Sequence, residues 1–373
     1  MIETPVRLPA QSSPAVNGAV LTALKAARAL APQIQAYADQ IEEQRELPRE
    51  LVEALLDAKL FQILLPEKLG GREVDLPVAM RVIEEVAKAD GSTGWCVMQA
   101  NTIAWHVREA YAQPRAIWAN GSRGKGTAVV VEGGYRVTGR WDHSSGCRHA
   151  TWFLGPGCEV VENGLPRTTP DGTKDIRNFW FPAAEVEIID TWHVTGLRGT
   201  GTHDWAVTDV FVPDIPNQSP DEARSENPLY RLPFKAVQST AVSSVGLGIA
   251  RGAIDAFIDL AASKKPYGYG ANVPLRESEY IQIQAAQAEA QLRAGRAFLF
   301  EATEALWEAV RCTGEAPMEQ RVLVRLATTH AIAAAAEAVD IVFRAGGATA
   351  IRAACPLERR FRDMHAVRQH LQG

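Results

Sequence analysis

Apolar residues in the first hundred positions recur at three- and four-residue intervals, the period of a helix that buries one face. LVEALLDAKLF (Leu51 to Phe61) and PVAMRVIEEVAKA (Pro77 to Ala89) follow this spacing, with Gly70-Gly71 punctuating the connection. Asp90-Gly91-Ser92 supplies a stop and then an N-cap, which predicts a further helix through Trp95 to about Ala110. From about Gly126 to Pro213 the period changes. TAVVVEGGYRVTGRW predicts two strands around a Gly133-Gly134 turn, and Thr151 to Leu154 a short third. NFWFPAAEVEIIDTWHV and DWAVTDVFVP add strands rich in Val, Ile, Trp and Phe. Beyond about Asn227 the pattern is helical again and rich in alanine, with long elements near 236–263, 275–310, 318–344 and 356–370. The expected architecture is α+β: an N-terminal helical domain (16–120), a central antiparallel β domain (121–225) and a C-terminal four-helix bundle (226–373).

Composition narrows the class. The chain has 373 residues, 46% of them hydrophobic and 22% charged, ample for a buried core in several subdomains. A net charge of −5 offers no basic excess for nucleic acid or an anionic membrane. Five cysteines without a CxxC pair point away from a disulfide framework or structural zinc and toward the reducing cytoplasm. MIETPVRLPAQSSPAVNG has neither a basic region nor an apolar core, so no signal peptide is expected. The uncharged run from Gln238 to Ala250 is too short to span a bilayer. Long Ala-rich helices bury broad stripes against one another, and such bundles commonly assemble into homo-oligomers.

Some suggestive patterns carry no chemistry. GLGIARG (Gly246 to Gly252) has glycines at dinucleotide-like spacing but no preceding strand, which makes it helix packing. GLRGTGTHD (Gly196 to Asp204) lacks a P-loop lysine and reads as a connection between strands. No GxSxG elbow accompanies Ser92.

Four segments in order, LLPEKLGG (Leu64 to Gly71), ADGSTGW (Ala89 to Trp95), GRWDHSSGCRHATW (Gly139 to Trp152) and GLRGTGTHD, resemble the acyl-CoA dehydrogenase superfamily across about residues 20 to 370. The end of the chain separates its branches. Dehydrogenases follow an Arg-Asp pair with a Tyr-Glu-Gly whose carboxylate removes the α-proton. Counted without gaps from Arg362-Asp363, those positions fall on His370, Leu371 and Gln372, and leucine cannot abstract a proton. PLERRFRDMHAVRQH instead resembles the two-component flavin monooxygenases. That resemblance implies FMN or FAD, reduced by a separate NAD(P)H:flavin reductase, with O2 as co-substrate. Through a C4a-(hydro)peroxyflavin, one oxygen atom would pass to an aromatic or heteroaromatic small molecule. A tetramer or dimer is the expected assembly.

The resemblance also distributes roles. His370 is placed at the flavin edge, although histidines near a helix C-terminus are also favoured there by the helix dipole. His365 diverges from it by roughly 140° at about 100° per residue, so the two share no metal. Ser144 and Ser145 fall where relatives back the flavin ring, and Ser145 is assigned to N5; as a bare pattern Ser-Ser-Gly is a turn. Trp141 and Trp192 either stack on flavin or fill the β core. Lys264 and Tyr267 match an Arg-x-x-Phe-Gly that meets the flavin phosphate from a neighbouring subunit, Lys264 without bidentate geometry. Gly346 and Gly347 resemble a pair that lets backbone approach the cofactor, or else cap a helix. Arg362 is grouped with the cofactor residues. Trp95, Asn101 and His106 are candidates for the substrate wall, where phenol hydroxylases often carry a histidine at the position of Ile103. Two alternatives stay open: a dehydrogenase whose base lies elsewhere, among Glu277, Glu279 and Glu289, and a flavin-free scaffold of the same fold.

Overall fold

The computed structural model describes residues 14–107, 111–214, 227–265 and 273–371. Helices α1 (Pro14–Ala36), α2 (Ala38–Gln44), α3 (Arg49–Asp57), α4 (Leu76–Ala89) and α5 (Gly91–Ala104) come first. Strands β1 (Trp118–Asn120), β2 (Arg123–Val131), β3 (Gly134–Ser144), β4 (Trp152–Glu162), β5 (Leu165–Pro166), β6 (Ile176–Pro182), β7 (Glu187–Ile189) and β8 (His203–Pro213) follow. The chain ends in α6 (Phe234–Ser263), α7 (Glu279–Thr313), α8 (Met318–Gly346) and α9 (Pro356–Arg368). The cap of α5 is Asp90 itself, whose carboxylate accepts from Thr93 N at 2.7 Å, and the helix stops at Ala104, short of the expected end.

The sheet runs β1-β4-β2-β3-β8-β7, with β5 and β6 also paired to β4. The hairpin of β2 and β3 turns at Gly133-Gly134 as its pattern predicts. A purely antiparallel sheet, however, is not what forms. β4 runs parallel to both β1 and β2, because its long strand returns beside them and not in hairpin order. The sheet carries its own core. Trp141 stacks on Trp205 at 4.4 Å, with Phe153 and Phe181 against Trp205, and all four are fully buried. A Cβ at Gly139 would lie 2.5 Å from the Trp141 ring, so glycine there makes room for the indole.

The helices of both ends share a second core that extends from Ala23 to Val367. Its axis is α6, apolar on every side and packed along α4, α8 and α9. Its buried hydroxyls are satisfied locally: Ser243 donates to Ser239 O at 2.9 Å and Ser244 to Thr240 O at 2.8 Å. Two described helices, α6 and the one beginning at Met318, are long and apolar enough to cross a membrane, yet 78% and 56% of their apolar windows are buried inside the protein. The glycines of Gly246 to Gly252 lie within α6 and do serve packing. A Cβ at Gly248 would meet Glu84 O at 2.3 Å, so the α4 and α6 backbones touch where only hydrogen fits. Gly248→Val should therefore lower the unfolding free energy by about 2–3 kcal/mol in urea melts. An unchanged midpoint would refute the close approach.

Candidate active site

Helix α5 carries Trp95, Gln99 and Thr102 at four- and three-residue steps, hence along one face, and His106 follows in the turn just past its end. At its N-terminal end that face meets a run of hydroxyls. Trp95 Nε1 donates to Ser145 Oγ at 2.9 Å. Ser145 Oγ lies 2.9 Å from Thr202 Oγ1, which lies 2.6 Å from Thr200 Oγ1, and Thr200 donates to Leu197 O at 2.8 Å. His370 stands edge-on to the Trp95 ring, 5.5 Å between centroids. Trp95 and Ser145, 50 positions apart, are thus brought together with His370, more than two hundred positions farther along the chain. Burial, helped by Arg325, lowers the His370 pKa from its ordinary value and favours the neutral imidazole.

Farther along the same face of α5 opens a cavity of about 630 Å³. Gln99, Thr102, Ile103 and His106 form one wall, Leu154, Phe179 and Trp180 another, and Phe234 and Gln238 of α6 close it. The His106 and Phe234 rings are 4.5 Å apart. Trp95, Ser145 and His370 do not line this cavity; they adjoin it through α5.

Asp363, fully buried on α9, holds the hydroxyl run in place. Its Oδ1 accepts from Leu197 N at 2.6 Å. Its Oδ2 lies 3.0 Å from where a Cβ on Gly91 would be. One carboxyl thus touches the loop that supplies Thr200 and Thr202 and the start of the helix that supplies Trp95.

Several expected site residues have other work. Trp141 is locked in the β core, its Nε1 donating to Pro156 O at 2.8 Å, and cannot stack on a ligand. Asn101 lies on the buried back of α5 and spends its amide on Ile63 N, Leu64 N, Leu60 O and Val97 O, which removes it from the substrate wall. Arg362 is held by Glu42 at 2.7 Å, by both oxygens of Glu358 and by Thr195 O, so its guanidinium is spent on pinning α9. His365 pairs with Asp340 at 2.9 Å and packs its ring on Phe361. Lys264 Nζ donates to Gly346 O at 2.6 Å beside Gly347, so these three do form one group at the end of α8. Tyr267 lies outside the described residues. Sequence reasoning missed Thr200, Thr202, Asp363 and Gln99; the α5 stripe was a legible signal for Gln99, and nothing local marked the others.

The wall around Ser145 fits a flavin ring. Ser144 Oγ is buried without a hydrogen-bond partner, immediately before Ser145 and after His143 in a left-handed conformation (φ 54°). A neutral surface of hydroxyls, indole N–H and one orphan hydroxyl suits a ring edge bearing both donors and acceptors. No three His, Cys, Asp or Glu among the described residues could hold a metal.

Comparison with known proteins agrees. The acyl-CoA dehydrogenase N-terminal domain family matches residues 22–114 and the C-terminal domain family residues 240–372. The flavin-dependent monooxygenase oxygenase subunit HsaA of Rhodococcus jostii is 30% identical over 92% of this chain and 92% of its own. The indole-3-acetate monooxygenase of Pseudomonas putida is 31% identical over 89% of this chain and 85% of its own. The crystal structure of the HsaA monooxygenase from M. tuberculosis superposes with a TM-score of 0.81 at 30% identity, covering 95% of this chain and 94% of that one. The chain belongs to the flavin-dependent monooxygenases of the acyl-CoA dehydrogenase superfamily.

Neither Leu371 nor the candidates Glu277 and Glu289 supply a dehydrogenase base at this site. Leu371 is 83% exposed. Glu289 is tied to Arg251 and Arg293, and Glu277 to Arg276. No glutamate lines the cavity among the described residues.

Burial pushes the Asp363 carboxyl up to about 7, with Asp90 and Glu42 adding to the rise and the Leu197 amide and Arg359 opposing it. Since the ordinary value is 3.8, the folded protein keeps a proton between about 4 and 7 that the unfolded chain has lost. Stability from this carboxyl is full below that window and is lost as pH rises through it. Asp363→Asn keeps an acceptor for Leu197 but cannot ionise. Its Tm relative to the parent should climb between about pH 4 and pH 7 and level off above, whereas a constant difference by scanning fluorimetry would rule out the linkage.

Proposed function

We propose that this monooxygenase is the oxygenase component of a two-component system. It takes FMNH2 or FADH2 from a separate NAD(P)H:flavin reductase and places one atom of O2 on an aromatic or heteroaromatic small molecule, in the reducing cytoplasm. The reading is carried by one observation: a neutral hydroxyl wall at Ser145, closed by Trp95 and His370, beside an aromatic-lined cavity with no glutamate among its described lining residues. A bound reduced flavin supplies two electrons for O2, so that one oxygen atom enters the substrate and the other leaves as water.

The chain's own groups do the rest. Ser145, oriented by Trp95 and Thr202, offers its hydroxyl to the flavin N5 edge, and the preceding residue, Ser144, carries a buried hydroxyl without a partner. His370, neutral because it is buried, accepts or returns a proton at an imidazole nitrogen. Trp95 shields both from water. His106 and the α5 face bound the substrate. Lys264, Gly346, Gly347 and Tyr267 serve the phosphate of a neighbouring protomer's flavin. The 30 residues of α6 put Lys264 about 45 Å from the cavity end at Phe234, too far to serve the same protomer's ring.

Anaerobic protein loaded with reduced flavin, mixed with ¹⁸O2 and an aromatic substrate, should yield singly labelled product. Flavin oxidation with stoichiometric H2O2 and untouched aromatic would overturn the reading, as would bleaching of oxidised flavin by an acyl-CoA. Ser145→Ala should raise H2O2 release per product by about five-fold or more, the rate equivalent of one lost buried hydrogen bond. Unchanged coupling removes that role.

A homo-oligomer, tetramer or dimer, is favoured by Met318, Val322 and Leu326, exposed at four-residue steps along α8. The double variant Val322→Asp/Leu326→Asp should sediment as a smaller species than the parent. Identical sedimentation would exclude this stripe as the interface.

A further inference from the structure

Four carboxamides face the 630 Å³ cavity, one from each of four elements: Gln99 of α5, Asn120 of β1, Asn178 of β6 and Gln238 of α6. Gln99 Nε2 donates to Asn120 Oδ1 at 2.7 Å. That bond orients both groups, leaving Gln99 Oε1 as an acceptor and Asn120 Nδ2 as a donor, side by side. Asn178 Oδ1 accepts from Gly157 N at 3.1 Å, which leaves its Nδ2 free to donate. Around these polar points the wall is flat and apolar, formed by Phe179, Trp180, Phe234, Ile103 and Leu154.

The charges on the wall are as telling as the amides. Among the described residues the cavity's carboxylates and guanidinium are Asp175, Asp214 and Arg177, so acids outnumber the cation. Arg177 is already committed. Its Nε donates to Asp175 at 3.2 Å, its Nη1 donates to the Tyr135 hydroxyl at 2.8 Å and also lies 3.9 Å from Asp214. Burial works against ionisation of Asp175, but hydrogen bonds from Arg167 and Arg177 keep its carboxyl below the usual range and therefore charged at neutral pH. An anionic ligand here would give up its hydration and meet the carboxylates of Asp175 and Asp214, while the lining guanidinium, Arg177, already serves those acids and Tyr135.

We propose that this cavity selects an uncharged aromatic carrying a hydrogen-bond donor beside an acceptor, as in a lactam fused to a ring, and rejects aromatic carboxylates. The inference rests on the monooxygenase reading of the same site and adds the substrate class. Gln99 and Asn120 read the donor–acceptor edge, and the rings of Phe179, Trp180 and Phe234 hold the aromatic plane.

Oxindole and indole-2-carboxylate make a matched pair: one ring size, one neutral with adjacent N–H and C=O, the other anionic. Calorimetric titration of the full chain, both flavin-free and anaerobically loaded with reduced FMN or FAD, measures each. Oxindole should bind about ten-fold or more tightly than the carboxylate, as expected where buried polar groups are built to be paired. Gln99→Leu should bring the two within about three-fold, with circular dichroism confirming that the variant is folded. Equal or tighter binding of the carboxylate overturns the inference, and so does a preference that survives Gln99→Leu or a failure of oxindole to bind. Reduced-flavin binding, titrated first without any aromatic, reports on the underlying reading alone. A protein that refuses reduced flavin yet keeps the oxindole preference sinks that reading and leaves the cavity's selectivity standing.

Discussion

A carboxyl sealed from water must find partners inside the protein, and Asp363 finds them on two other segments at once. It takes the Leu197 amide hydrogen and presses against the first turn of α5 at Gly91. The α9 backbone comes so near at this point that a Cβ on Gly196 would overlap Arg362 O. Through these contacts the last helix fixes a loop and another helix in one frame. Thr202 then reaches Ser145, Trp95 reaches Ser145 from the other side, and His370 closes over Trp95. Arg362 adds a second tie between α9 and the same loop by donating to Thr195 O.

Helix α5 divides labour between its faces. It is buried nearly all round, so every polar side chain on it needs a partner or a ligand. Asp90 caps it, and Asn101 ties its back to the backbone at 60–64 and to its own preceding turn. What remains, Trp95, Gln99 and Thr102, faces the hydroxyl wall and the cavity. The same helix thereby sets the distance between the two halves of the site. A rigid element spanning both is what a reaction needs when a reactive centre and a substrate must be held in register.

The chemistry follows from which groups are neutral. A dehydrogenase needs a carboxylate aimed at a C–H bond, and here the chain end offers an exposed leucine while Glu277 and Glu289 of the C-terminal helices are bound to arginines. Oxygen transfer calls for the reverse, a pocket without stray bases that excludes water and offers hydrogen bonds at fixed points. Ser145, Trp95 and a neutral His370 meet that requirement. The carboxamides of the cavity add uncharged donors and acceptors toward the substrate.

Much of this protein was legible from residue order alone. Helical spacing located α3, α4 and the long C-terminal helices, alternation and Gly133-Gly134 located the β2–β3 hairpin, and the missing glutamate separated the branches of the superfamily. These are local or positional signals, set by period, turn chemistry and the identity of single residues. What local signals could not decide was which side chains meet across the chain. Trp141 and Trp95 are equally aromatic, but one faces Trp205 inside the sheet and the other faces Ser145. Arg362 and Asn101 look like ligand groups until their partners at Glu42, Glu358 and the 60–64 backbone are seen. The parallel pairing of β4 with β1 and β2 likewise depends on a long return of the chain. Order along the chain dictates what each segment prefers to be; only packing between distant segments decides which polar group is spent on the scaffold and which is left for chemistry, because a buried donor or acceptor is claimed by whatever partner the fold brings within about 3 Å.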